Sequence, residues 1–169
     1  MEEVQVDAAF EPLLELEMEM ATLVADWSHC DQSATYVARM VSHDRHDPIR
    51  HANLLSSALN ELFEMSFHTR ESDGTLTCRL YRNGLIERIE LTFPCSAEQR
   101  NSYEAIVERI GDGQALANYL HVITDDAAHA EHAILLGLAV NYDADIELSG
   151  QDGGRMTFVV DIALERLLN

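Results

Sequence analysis

The sequence is poor in the residues that would announce a specialised chemistry. Its three cysteines, Cys30, Cys78 and Cys95, are odd in number, widely spaced and form no CxxC pair. That excludes a disulfide framework and a thiolate metal site, and they read as reduced, small core or half-buried residues. Proline (3) and glycine (8) are too sparse for a low-complexity or linker-rich chain. Basic residues are scarce as well: 11 against 30 acidic ones leave a formal net charge of −19. A phosphate backbone is held through cations that release counterions, so DNA and RNA are excluded as partners and anionic membrane surfaces are disfavoured. A basic patch on a protein partner would instead be attracted. No apolar run approaches membrane-spanning length, and the opening MEEVQVDAAFEPLLELEMEM has no basic leader before an apolar stretch. A soluble, cytoplasmic protein is the expectation. There is no Walker-type GxxxxGK, no GxSxG elbow and no motif placing a cysteine beside a histidine, so nucleophilic catalysis has no support.

What remains describes an ordinary globular protein, 47% hydrophobic and 24% charged, read as one domain over residues 1–169. Leu14, Leu16, Met18 and Met20 alternate with glutamates, which predicts a half-buried first strand. The single tryptophan, Trp27, is expected to close the core near it. SHCDQS reads as a turn, followed by a short helix over Ser33 to Val41. Asp47-Pro48 opens a second helix, whose apolar face of Leu55, Ala58, Leu59 and Leu62 carries it to about Phe67. A hairpin follows, and centring its turn on Asn83-Gly84 pairs Leu76 with Leu91 and Cys78 with Ile89. Ser96-Ala97-Glu98-Gln99 is a capping box for a helix bearing Tyr103, Ile106, Val107 and Ile110, with Gly111 as its stop. Asp112 can cap a further helix through Ile123, and a third run spans about Ala127 to Tyr142. Strands over Asp145 to Ser149 and Arg155 to Ile162 close the chain around GQDGG. This order predicts an α+β fold: a two-layer sandwich with a mixed, mostly antiparallel sheet and helices on one face.

NELFEMSFHT followed by DGTLTCRLYRNGLIERIEL resembles the N-box helix and central hairpin of the GHKL superfamily of histidine kinases, gyrase-type ATPases and anti-sigma-factor kinases. HAILLGLAVNYDADIELSGQDGGRMTFVVDIAL is similar to that family's GLGL-type helix and closing strands, with Leu136-Gly137-Leu138 as the remnant motif. With LELEMEM as the opening strand, the resemblance covers nearly the whole chain and comes nearest to compact bacterial regulators such as Sia-type kinases and members of partner-switching systems. It implies a pocket around Glu61, Met65, Thr92, Phe93 and Gly137. Glu61 stands where some families activate the attacking water, the one candidate catalytic residue. Met65 stands where an asparagine helps hold Mg²⁺, and a soft thioether cannot replace a hard oxygen ligand. A second register, from ANLLSSAL, would put Ser57 at that place. The DxGxG loop that reads adenine has no counterpart: Thr92 or Phe93 stands about where its aspartate would be, and Gly111-Asp112-Gly113 comes too late.

Two histidine clusters remain, His43, Asp44, His46 and Asp47 in SHDRHD, and His121, Asp125, Asp126, His129 and His132 in HVITDDAAHAEH. Neither matches HExxH, and caps and helix ends account for such residues, so no metal site is assigned. The reading is a non-catalytic regulatory module of bacterial signalling with a degenerate ATP site and no resident cofactor. Its expected partner is a protein, with a STAS-domain protein or a phosphatase as candidates, or a second copy of itself. The alternatives are an active ATP-binding serine/threonine kinase with a divergent pocket, and a small-ligand or metal-binding protein.

Overall fold

The computed structural model describes residues 9–69, 73–125, 130–149 and 154–168. Strands β1 (Glu11–Glu19), β2 (Thr75–Asn83), β3 (Ile86–Pro94), β4 (Asp145–Ser149) and β5 (Arg155–Ile162) form one sheet in the order β1-β2-β3-β5-β4. Helices α1 (Met20–Ala25), α2 (Ser28–Ser42), α3 (Pro48–Phe67), α4 (Ala97–Gly111), α5 (Ala115–Ile123), α6 (Ala130–Asn141) and α7 (Leu164–Leu167) complete the second layer of an α+β sandwich. All four strand pairings are antiparallel, in keeping with the mixed, mostly antiparallel sheet expected. Two connections are hairpins; the connection from β3 to β4 crosses over through helices, so these two strands run parallel with β5 between them and every neighbouring pair is antiparallel.

Burial alternates strictly along β3 and β5, the pattern of a sheet covered on one face. Leu76, Cys78, Leu80, Ile89, Leu91, Phe93, Met156, Phe158, Val160 and Ile162 point into the core, where they meet Leu55, Leu59, Leu62, Phe63 and Met65 of α3. At roughly 25 cal/mol per Å², this apolar seam is the main source of stability. Among the described residues, no helix is long and apolar enough to cross a membrane.

Local signals placed several elements correctly. Asp47 accepts the Arg50 N–H at 3.3 Å with Pro48 at the first helical position, and α3 ends at Phe67. Ser96 and Gln99 make both bonds of the capping box, at 3.2 and 2.9 Å.

Four expectations are corrected. Met20 is the first residue of α1 and fully buried, not the end of the strand; its N–H binds Gly74 O at 3.0 Å. Helix α2 begins at Ser28, so SHCDQS is its first turn: Asp26 accepts the Ser28 N–H at 2.9 Å and starts the helix early. In the hairpin Cys78 faces Leu91 and Leu80 faces Ile89, two residues from the predicted register. The turn residues are Gly84 and Leu85, with Gly84 at φ +58°, a glycine at the first central position as a type II′ turn requires. The shift is even, so the same side chains still face inward. Finally, α4 ends on the left-handed Gly113 (φ +76°), with Gly111 still helical; Asp112 caps the C-terminus of α4, and Gln114 precedes α5. Trp27 is half-buried, edge-on to Phe67 at 5.5 Å.

Candidate functional site

The family resemblance points to the space between α3, β3 and α6, and side chains fill it. Met65 is fully buried in the core on α3. Its thioether packs within the hydrophobic core, and a soft sulfur is a poor ligand for a hard cation. Phe93 is also fully buried, stacked on Phe158 at 5.7 Å and edge-on to Tyr103 at 6.4 Å. Such offset and T-shaped contacts are the preferred aromatic geometries. Thr92 points to the opposite face of the sheet, where its hydroxyl lies 2.8 Å from that of Thr157. It therefore does not join the group. Gly137 is buried on α6, where an added Cβ would stand 3.5 Å from the Tyr119 ring, an ordinary contact. The position is filled from α5 and does not demand glycine for space.

Glu61 is the exception in this packed region. It is half-buried, and its Oε2 is enclosed without a hydrogen-bond partner, as is Oδ1 of the adjacent Asn60. Desolvation raises its carboxyl above the ordinary range, and the charge of Glu64 adds to the shift. Tyr142, after α6, approaches from the other side: burial raises its phenol, the Glu61 charge adds to this, and a hydrogen bond with Ser57 opposes it. The alternative register's Ser57 thus sits exposed and bonded to Tyr142, not in an enclosed pocket.

Among the described residues, a fully enclosed polar cluster lies where no sequence motif announced it. His51 on α3 is wholly buried, with Nδ1 2.6 Å from Ser42 Oγ and Nε2 3.1 Å from Glu87 Oε1. Arg82 donates to the same Glu87 oxygen at 2.8 Å, to Val41 O at 2.6 Å and to Asp44 at 3.2 Å. Serine, histidine and glutamate in contact suggest a hydrolytic triad, but the chemistry is closed: Ser42, His51 and Glu87 are all 2% exposed or less. With every member bonded, the cluster locks the hairpin to the α2–α3 corner. His51 and Glu87 lie 36 positions apart, and the one available signal was a charged residue at an inward position of β3.

The histidine clusters separate. Asp44 binds Arg82, His43 Nδ1 lies 2.9 Å from Met40 O, and Asp47 caps α3. His132 Nε2 is 2.5 Å from Ser102 Oγ, His121 ends α5, and Asp126 and His129 lie outside the described residues. Among the described residues, no group of three or more His, Cys, Asp or Glu is placed to hold a metal ion. The cysteines are buried thiols; desolvation pushes Cys30 up to about 11, with Glu64 adding, and Cys78 up to about 12.

No protein-family model matches the sequence, and no curated protein matches it. Among solved structures, a chain in the crystal structure of the SiaB–SiaC complex from Pseudomonas aeruginosa is similar, with a TM-score of 0.64. The match covers 95% of each chain at 14% identity. At that identity the likeness shows a shared fold.

Proposed function

We propose that this chain is a non-catalytic regulatory module of bacterial signalling that acts by binding another protein, on a GHKL-like fold whose ATP site has degenerated. The observation that carries this reading is the fully buried Met65, held in the core where the resemblance would place an Mg²⁺ ligand. Phe93, locked between Tyr103 and Phe158 near where an adenine-binding aspartate would stand, supports it independently. The similar chain belongs to a complex of two proteins, SiaB and SiaC, which favours a protein as the ligand here too. A STAS-domain protein or a phosphatase of a partner-switching system is the partner class that fits the resemblance.

One observation favours a second reading, an active kinase with a divergent pocket: burial raises the Glu61 carboxyl above its ordinary range, as the environment of a general base does. Titration with Mg-ATP while following the melting temperature separates the two, because a ligand that binds only the native state raises it with occupancy. A flat response is expected. A magnesium-dependent rise, abolished by Glu61→Ala, would overturn the non-catalytic reading.

A further inference from the structure

Among the described residues the sheet has two edge strands, β1 and β4, and the second is flanked by α4. Strand β4 pairs on one side with β5 and forms the end of the sheet. Alongside it runs a groove of about 750 Å³, bounded by α4 and by the outer face of β5. Its inner side is apolar, with Val107 and Ile110 from α4 and Ile146 and Leu148 from β4, while Val159 of β5 lies on the outer face beside Glu147. Its accessible rim is acidic, with Glu108 on the helix and Asp145 and Glu147 on the strand, all exposed.

We infer that this groove is the seat of a sixth strand, supplied by a protein partner as an extended segment in which apolar residues alternate with lysine or arginine. Three features lead to that occupant. An edge strand presents unpaired N–H and C=O groups, which an added strand satisfies by main-chain hydrogen bonding. Successive side chains of such a strand point to opposite faces, so every second one would enter the apolar space beside Val107 and Ile110. The others would lie on the outer face, next to Asp145 and Glu147, where a positive charge gains and a negative one loses. The five residues of β4 set the length of the match at about 17 Å.

Charge also decides against a second copy of this chain. Two β4 strands paired about a two-fold axis would bring Asp145 and Glu147 of both copies together, and like charges directly opposite are destabilising. With 30 acidic residues to 11 basic ones, little of the remaining surface is complementary to the rim.

The inference rests on the protein-binding reading above and adds the place and chemistry of the contact. Its probe is a fluorescent peptide alternating valine and lysine over seven residues, compared with a scrambled peptide of the same composition. The alternating peptide should bind more tightly, weaken as salt rises, and bind roughly tenfold more weakly to the Asp145→Arg, Glu147→Arg variant. Both substituted residues are exposed, and an unchanged melting temperature would establish that the variant folds. Carbodiimide coupling should join peptide lysines to Asp145, Glu147 or Glu108; the chain itself contains no lysine, so self-coupling is confined to its N-terminus. Equal binding of the two peptides, indifference to the charge reversal, or coupling elsewhere would each overturn the inference. So would a dimer that the charge reversal dissolves. A negative peptide result beside a flat Mg-ATP titration removes only this edge; a magnesium-dependent Mg-ATP rise strikes the non-catalytic reading first.

Discussion

Restoring the family's asparagine at position 65 tests whether the pocket has been remodelled or has merely lost a letter. Met65 is fully buried, and burying such a side chain contributes about 1.5–3 kcal/mol, most of which Met65→Asn forfeits. The incoming amide adds about 1–3 kcal/mol if it is enclosed without partners. The expected loss is therefore roughly 3–5 kcal/mol. A bond to Glu61 Oε2, unpartnered one helical turn earlier, would remove the second contribution and leave the first, so the loss should stay above about 1.5 kcal/mol. Urea unfolding followed by circular dichroism reads this directly, with Met65→Leu as a volume-matched control costing under about 1.5 kcal/mol. At about 2–4 °C per kcal/mol for a chain of this size, the melting temperature should fall by about 10 °C. An asparagine variant within about 1 kcal/mol of the native protein, or one that Mg-ATP stabilises, would refute the idea that side chains have taken over the site.

Three further outcomes follow from the buried groups. Arg82→Met removes the guanidinium that offsets the buried Glu87 carboxylate, leaving it only its His51 contact, and should cost about 3–5 kcal/mol in denaturant unfolding, whereas Arg82→Met with Glu87→Leu should recover a large part; a double variant no better than the single one would deny the coupling. Because Glu61 has a raised carboxyl, its protonated form is favoured by folding: this contribution is full below the ordinary glutamate range and lost as pH rises through the raised value. Glu61→Gln should therefore be more stable than the native protein at pH 7, by under about 1 kcal/mol for a half-exposed group, and the gain should vanish in acid. Cys30 and Cys78, with pKa values of about 11 and 12 and no solvent access, should resist a thiol reagent at pH 8 until urea unfolds the chain. Rapid labelling of the native protein at either would contradict their placement.

What the residues determined by themselves was local. The caps at Asp47 and Ser96, the inward alternation of β3 and β5, and the apolar face of α3 all rest on interactions within a few positions, which spacing reveals. The sandwich and the order of its main elements were legible for the same reason, but the short helices α1 and α7 were not. Where two local solutions competed, spacing could not choose. The hairpin turn slid one residue to Gly84-Leu85, the start of α2 moved to Ser28, and the helix stop passed from Gly111 to Gly113. Tertiary structure decided what the site contains. Met65 and Phe93 face the core while Thr92 faces away, and the Ser42-His51-Glu87-Arg82 lock joins residues far apart in sequence through hydrogen bonds that no local pattern announces. The acidic edge beside β4 likewise exists only because α4 lies against a strand that follows it by more than thirty residues. Propensity and periodicity act along the chain, whereas burial and pairing act across it.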